Sequence, residues 1–350
     1  MGINPSSEDL IKKAQMSDLD AETKENILKI ISGERLANLY DDAIAKRAFS
    51  PDVHPERLDF LLQRTMGESY GAVEKSASNE GMAISKYSKA IVTDVPAWLR
   101  DGKRLDVEFQ AVAQDYIFNR VDIYASNMLM IQFSVEEGHS KKDVDYGNVK
   151  GVIVIVLMVK SPKVFREFKS DRYIHRVKKI VTDTGMEFPA LKQMAFVQLD
   201  KALELFLSDS YNKDEDIGLL KLLAMIADIN NDKVKQMTLG DEMYDDIRKE
   251  VDAFSKDKEV QAMLLEEEMA RADWVTGINA ARREGHAEGR AEGHAEGRAE
   301  EHVEVQNVYA WLAGLKRIDD ISKAATDEKY YLKMLAEYKK ANEHTSPGTS

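Results

Sequence analysis

Residues 94–110, DVPAWLRDGKRLDVEFQ, decide the fold. Asp101-Gly102 sits between two extended runs, and Asp-Gly in that setting is the strongest short-range signal of a β-hairpin, because glycine accepts the positive φ of a tight turn. The expected strands are 86–99 and 103–110, joined through Arg100-Asp101-Gly102-Lys103. In the second strand Leu105, Val107 and Phe109 alternate with Arg104, Asp106, Glu108 and Gln110, so one face joins a core and the other is polar. Asp106, Glu108 and Gln110, spaced by two, project together from that polar face, with Asp94 and Asp101 nearby in the hairpin. Carboxylates massed on one side of a sheet repel unless a cation or a basic partner joins them, and oxygen-only ligands suit Mg²⁺ or Mn²⁺. The competing reading is a solvent-facing edge strand whose charges prevent aggregation.

The turn itself tests the metal reading. A plain two-residue turn would set Asp94 opposite Phe109, on the wrong face; sharing an ion requires Asp94 opposite Glu108. The hairpin is therefore expected to contain a three-residue loop or a bulge, and Pro96, which cannot donate to a ladder, is the expected place for the irregularity.

Working outward, residues 116–133 place Ile117, Val121, Tyr124, Met128 and Ile131 at helical spacing, with Gly138 ending the helix. Residues 152–159 form a β-branched run without alternation, as a central strand covered on both faces requires. Upstream, two helical segments within 36–67 flank Phe49-Ser50-Pro51, with Pro55 early in the second. Beyond Pro189 the chain reads as helices over 191–207, 219–229, 243–254 and from 260 onward. The expected class is α/β: a mixed central sheet flanked by helices, followed by a mostly helical C-terminal region. The expected divisions are a helical N-terminal appendage 1–38, a core domain 39–210, a helical region 211–275 and a tail 276–350.

The tail repeats Glu284-Gly285-His286-Ala287 as EGRA, EGHA and EGRA to Ala299. Its glutamates fall i,i+4 and repel, and each glycine costs about 1 kcal/mol relative to alanine, so an isolated helix is poorly supported. Glycine at every fourth residue permits close approach of another helix, and homo-oligomerisation through the tail is one expectation. The other is a solvated helix or linker. His286, His294 and His302 step by about 80° around a helix and share no face for a metal.

Composition narrows the classes further. The 350 residues contain no cysteine, which excludes disulfide scaffolds, zinc fingers and thiol nucleophiles. The longest apolar run, 152–159, is far short of the roughly 20 residues that span a bilayer, and MGINPSSEDL has no signal-peptide pattern, so a cytoplasmic protein without a membrane partner is expected. The net charge of −13 argues against a nucleic-acid partner, but residues 86–180 carry 17 Lys and Arg against 12 Asp and Glu, leaving −18 for the rest. Most of the excess lies in 160–180, which is either a phosphate-facing patch or a solvated basic surface.

Asp94, thirteen intervening residues and then Glu108-Phe109-Gln110 resemble the D…ExQ variant of the PD-(D/E)XK nuclease superfamily, in its Rpn-type branch of recombination-promoting nucleases and putative transposases. Phe49-Ser50-Pro51 with His54-Pro55-Glu56-Arg57-Leu58, Asn79-Glu80-Gly81, Arg120 with Tyr124, Tyr173-Ile174-His175 and Asp183-Thr184-Gly185 are similar to segments of that family in its order. The EG-rich tail is also similar to tails in the family, and the resemblance covers roughly 39–207.

The resemblance implies a restriction-endonuclease-like core over 39–210 and a Mg²⁺- or Mn²⁺-dependent DNA endonuclease, associated with recombination in a transposase-like way. Asp94 and Glu108 would ligate the ion, with Asp106 as a third ligand or a surplus charge. Gln110 stands where many relatives carry lysine, and an amide can orient water but cannot neutralise charge. Lys103 or Lys89 is the expected substitute, and Arg120 and Tyr124, one turn apart, are expected at the phosphate. His54 and His175 are weaker candidates as bases. The alternative is a catalytically inactive nuclease fold that binds nucleic acid or a protein, favoured by Gln110 and the acidic balance. A purely helical oligomerisation scaffold is the third reading.

Overall fold

A computed structural model describes residues 5–77, 94–132, 146–212 and 214–342. Gly138, Asn79-Glu80-Gly81, Lys89 and most of the first expected hairpin strand lie outside them. The core is a six-stranded mixed sheet in the order β1-β2-β3-β4-β6-β5. The strands are β1 (Val73–Ser76), β2 (Val95–Leu99), β3 (Arg104–Gln110), β4 (Val152–Met158), β5 (Ile174–Val181) and β6 (Glu187–Gln198). β1, β2 and β3 run antiparallel to their neighbours, β3, β4 and β6 run parallel, and β5 returns antiparallel along β6 as an edge. The helix α5 (Ile117–Ile131) makes the crossover from β3 to β4.

β4 is buried along its whole length, as its unbroken Val152–Met158 run requires of a strand covered on both faces. Ile153, Ile155 and Leu157 point into the larger core with Leu105 and Val107, whereas Val152, Val154, Val156 and Met158 pack under Val121, Ala125 and Met128 of α5. Because Asp106 pairs with Val154 and Glu108 with Val156, the polar face of β3 lies on the α5 side. It is not an exposed edge: Asp106 and Glu108 are 0% and 4% exposed.

One expectation is corrected. Residues 191–198, expected as helix, belong to β6, and α7 starts only at Leu199. Pairing with both β4 and β5 wins over helical patterning there: Ala195 and Val197 alternate with Met194 and Phe196, each pair feeding a different core. The basic segment 174–181 is β5, and its cations are partly spent on structure. Arg176 donates to the carbonyl of Thr65, Lys178 pairs with Glu68, and Lys179 with Glu187 at 2.5 Å.

The described chain divides into two compact units, 1–272 and 273–350. In the first, the larger core is closed by α1 (Ser7–Met16), α2 (Ala21–Ser32), α3 (Asp42–Ala48), α4 (Pro55–Met66), α7 (Leu199–Ser208), α8 (Ile217–Ala227), α9 (Asp232–Thr238), α10 (Glu242–Lys256) and the start of α11 (Lys258–Gly314), while a short α6 (Lys163–Glu167) packs Phe165 into the smaller core under α5. Within the first 38 residues, Leu10, Ala14, Ile27, Ile30 and Ile31 are buried in the same core as the sheet. Ser6 and Asp9 form a capping box at the start of α1, and Gly33, at φ 80°, ends α2 in the left-handed region. In the second unit Val308 and Leu312 of α11 pack with Ala324 of α12 (Ile318–Ala324) and Met334 of α13 (Glu328–Asn342). The EG repeat is helical within α11, and a Cβ at Gly285, Gly289 or Gly293 would meet nothing within 4 Å. Among the described residues no helix is long and apolar enough to cross a membrane.

Ile30→Ala is expected to lower the unfolding free energy of the first unit by about 2–5 kcal/mol, as for other buried aliphatic truncations. Urea unfolding checks this; a change below about 0.5 kcal/mol would mean that the N-terminal helices do not share the core.

Candidate functional site

The hairpin loop is three residues long. Leu99 N–H donates to the Lys103 carbonyl at 2.9 Å, Gly102 N–H donates to the Leu99 carbonyl at 2.9 Å, and Gly102 takes φ 82°. A turn followed by one left-handed residue is a standard three-residue hairpin connection, and glycine occupies the position that needs positive φ. The register then runs Trp98 with Arg104, Ala97 with Leu105, Pro96 with Asp106 and Val95 with Val107. Pro96 keeps this register, so the expected irregularity lies in the loop rather than at the proline. The next pair along is Asp94 opposite Glu108. Asp94 N–H donates to Glu108 Oε1 at 3.4 Å, and Phe109 N–H donates to Asp94 Oδ2 at 2.7 Å. The Phe109 ring packs on Phe49, just past α3, at 5.8 Å.

Arg120, on the first turn of α5, reaches down onto this pair. One guanidinium nitrogen donates to Glu108 Oε2 at 3.1 Å, a second to Gln110 Oε1 at 3.0 Å and to Gln114 Oε1 at 3.4 Å, and Nε donates to the Tyr124 hydroxyl at 3.0 Å. Gln110 donates its own amide N–H to the Val112 carbonyl at 2.8 Å, which fixes its oxygen toward Arg120. The i,i+4 spacing of Arg120 and Tyr124 puts both on the α5 face that covers β3.

Burial dominates the electrostatics. It raises the Asp106 carboxyl to about 7, with Asp94 adding to the effect and Glu108 and Arg120 opposing it. Glu108 is pushed well above the usual carboxylate range by burial and then by Asp106 and Asp94. Asp94 is raised by burial and by Asp42, while the Phe109 N–H, Lys46 and Arg120 pull it back. Burial works against the Arg120 charge, but Glu108 and Tyr124 outweigh it and strengthen the cation. Tyr124 is raised by burial and by Glu108, so its phenol keeps its proton. Neither oxygen of the fully buried Asp106 meets a hydrogen-bond donor at normal distance, and such a group strongly favours a proton or a cation beside it.

The sequence candidates separate accordingly. Asp94, Glu108, Gln110, Arg120 and Tyr124 come together. Lys103 does not: it lies at the loop end of β3, paired with Asp101, five residues from Glu108 or roughly 17 Å along the strand. Asp101 is likewise a loop residue. His54 bridges Glu56 at 3.3 Å and Glu250 at 3.0 Å, and His175 faces Gln198 at 3.0 Å; neither joins the carboxylates. Sequence reasoning missed Gln114, which carries no motif, and Asp42 and Lys46, whose fields reach Asp94 from α3. Among the described residues no three His, Asp or Glu side chains converge as a metal cage. Asp106, expected as a third ligand, is two positions further along the face and fully buried. What fits a hard divalent cation is the facing pair Asp94 and Glu108, two oxygen donors whose mutual repulsion a cation relieves.

The model of the PD-(D/E)XK nuclease family transposases matches residues 42–281, more than half of the chain. The chain belongs to this family. No curated protein and no solved structure matches it. The mixed sheet with flanking helices is consistent with the PD-(D/E)XK core, and the family match extends past β6 and α7 into the helices up to α11. In this member of the family the motif Glu108-Phe109-Gln110 forms the end of β3, and Asp94 lies just before β2.

Because the folded chain holds a proton at Asp106 more tightly than the unfolded chain, the associated stability is present below about pH 4 and is lost as pH rises toward about 7. In chelator, Asp106→Asn is expected to flatten that decline and to exceed the wild type at pH 8 by up to about 4 kcal/mol. Urea unfolding of both proteins at pH 5 and pH 8 decides it.

Proposed function

We propose that the chain is a metal-dependent DNA endonuclease that hydrolyses phosphodiester bonds, with Asp94 and Glu108 holding a Mg²⁺ or Mn²⁺ ion and Arg120 as the site's resident cation. The observation that carries the reading is the three-residue hairpin loop, whose register sets the two carboxylates opposite each other at the end of the sheet. When bound, the ion supplies Lewis-acid polarisation of a phosphoryl oxygen and a water of lowered pKa. Glu108 and Asp94 orient that chemistry from backbone positions fixed by strand pairing, so little reorganisation is left for the reacting state.

Gln110 fits this scheme without being a lysine. It cannot carry charge, but it presents its carbonyl oxygen to Arg120 and so places a guanidinium beside Glu108. Arg120 is the group that meets the phosphate, since its planar fork suits phosphate oxygens and its charge is reinforced by Glu108. Tyr124, kept as a phenol, holds the Nε of Arg120 and retains a hydroxyl proton to donate. Promotion of recombination and self-association through the EG repeat belong to the same proposal.

One observation favours the second reading, a nuclease fold that binds without cutting: the Arg120 guanidinium already occupies Glu108 Oε2. The two separate on supercoiled plasmid incubated with Mg²⁺ or Mn²⁺. Nicking by the wild type, reduced at least about 100-fold in both Asp94→Asn and Glu108→Gln, is the expected result, with Arg120→Lys intermediate. Equal residual nicking by wild type and both carboxylate variants would leave only the binding reading.

A further inference from the structure

On the α5 side of the sheet, strand pairing continues from Glu108 to Val156, to Phe196 and to His175 on the edge strand. His175 therefore lies three strand spacings, about 14 Å, from the carboxylates on the same face. Around it is an aromatic cluster that the chemistry above does not use. Phe118 of α5 stacks on Phe165 of α6 at 5.2 Å and packs on Phe196 at 4.8 Å. Phe165 and Phe168 both pack on the His175 ring, at 5.4 and 5.9 Å. Phe165 and Phe196 are buried, but Phe118 and Phe168 stand 43% and 63% exposed, together with Tyr116 at 49%. Nothing in core packing requires three large rings to face water.

The charge around the rings is the reverse of the chain's. On α6 and the turns beside it, Lys160, Lys163, Arg166, Lys169 and Arg172 are all exposed, against Glu167 and Asp171, in a chain of net charge −13. Among the described residues the ion pair there is Lys163 with Glu167 at 3.6 Å, which is largely exposed and weak. Basic side chains interleaved with exposed ring faces are the chemistry of a polyanion whose bases are free to stack. In a duplex the base faces are already stacked on one another and only phosphates and groove edges are presented, so the rings would find no partner.

We propose that Phe118, Phe168 and the basic rim of α6 form a binding track for an unpaired DNA strand, leading past the start of α5, where Arg120 lies two residues beyond Phe118, toward Asp94 and Glu108. The proposal takes its direction toward the carboxylates from the nuclease reading, and its test is independent of cleavage.

The full-length chain is titrated, in chelator, into a fluorescein-labelled single-stranded oligonucleotide of about 20 nucleotides and into its duplex, with anisotropy as the readout. Wild type is expected to bind the single strand more tightly than the duplex. Phe118→Leu/Phe168→Leu, which keeps apolar bulk but removes the rings, is expected to weaken single-strand binding at least about tenfold and to change duplex binding less than about twofold. Unchanged circular dichroism and melting temperature show that the variant is folded. Equal single-strand affinity in variant and wild type, a preference for duplex, or binding only to vesicles of anionic phospholipid would each overturn the proposal. If plasmid nicking fails while ring-dependent binding persists, the nuclease reading falls and the track stands; the converse result removes the track alone.

Discussion

The site depends on a single constraint, the length of one loop. With Arg100, Asp101 and Gly102 between the strands, Asp94 faces Glu108; with one residue fewer, every side chain of β2 would change its partner on β3 and Asp94 would face Phe109. Gly102 makes the longer loop affordable because its φ of 82° is strained for any residue with a Cβ. Gly71 adds a second restriction: a Cβ there would lie 2.8 Å from the Asp101 backbone nitrogen, so the loop is seated against a glycine on the neighbouring segment.

Around that hairpin the fold tolerates an unfavourable arrangement. Two buried carboxyls, Asp106 and Glu108, and the half-buried Asp94 lie within three positions of register on a face otherwise packed by Val154, Val156 and Met128. Desolvation alone would drive protons onto them, and Arg120 relieves only part of the repulsion, leaving Asp106 without a hydrogen-bond donor at normal distance among the described residues. A chain optimised for stability alone would hold apolar residues there. The large core on the opposite face, drawing on α1, α2, α4, α8 and α10, supplies the stability that lets the polar face persist.

Much of this was legible in the sequence, for physical reasons that can be named. Val152–Met158 could only be a strand buried on both faces, and Asp101-Gly102 could only be a hairpin turn. The loop length followed from asking which register lets two carboxylates meet, not from any propensity. β6 was hidden because Leu191, Ala195 and Val197 read equally well at helical spacing, and only its neighbours β4 and β5 choose between the two. The burial of Ile27, Ile30 and Ile31 was hidden because a short amphipathic helix looks the same whether its face meets its own core or another chain. Lys103 was a reasonable candidate by proximity in sequence, yet a strand carries neighbours apart at roughly 3.3 Å per residue. Arg120, ten residues from Gln110, comes back to it because the crossover helix folds over the sheet. Family membership, shown over residues 42–281, agrees with the PD-(D/E)XK resemblance read from the chain.

The central claim is that the buried carboxylates are arranged to receive a divalent cation. Calorimetric titration of the full chain with Mn²⁺ near pH 6.5, repeated in two buffers of different ionisation enthalpy, tests it most directly. Saturable binding to Asp94 and Glu108 is expected, accompanied by proton release because the raised carboxyls must ionise, and lost in Glu108→Gln. No saturable heat in the wild type, or the same heat and proton release in Glu108→Gln, would contradict it.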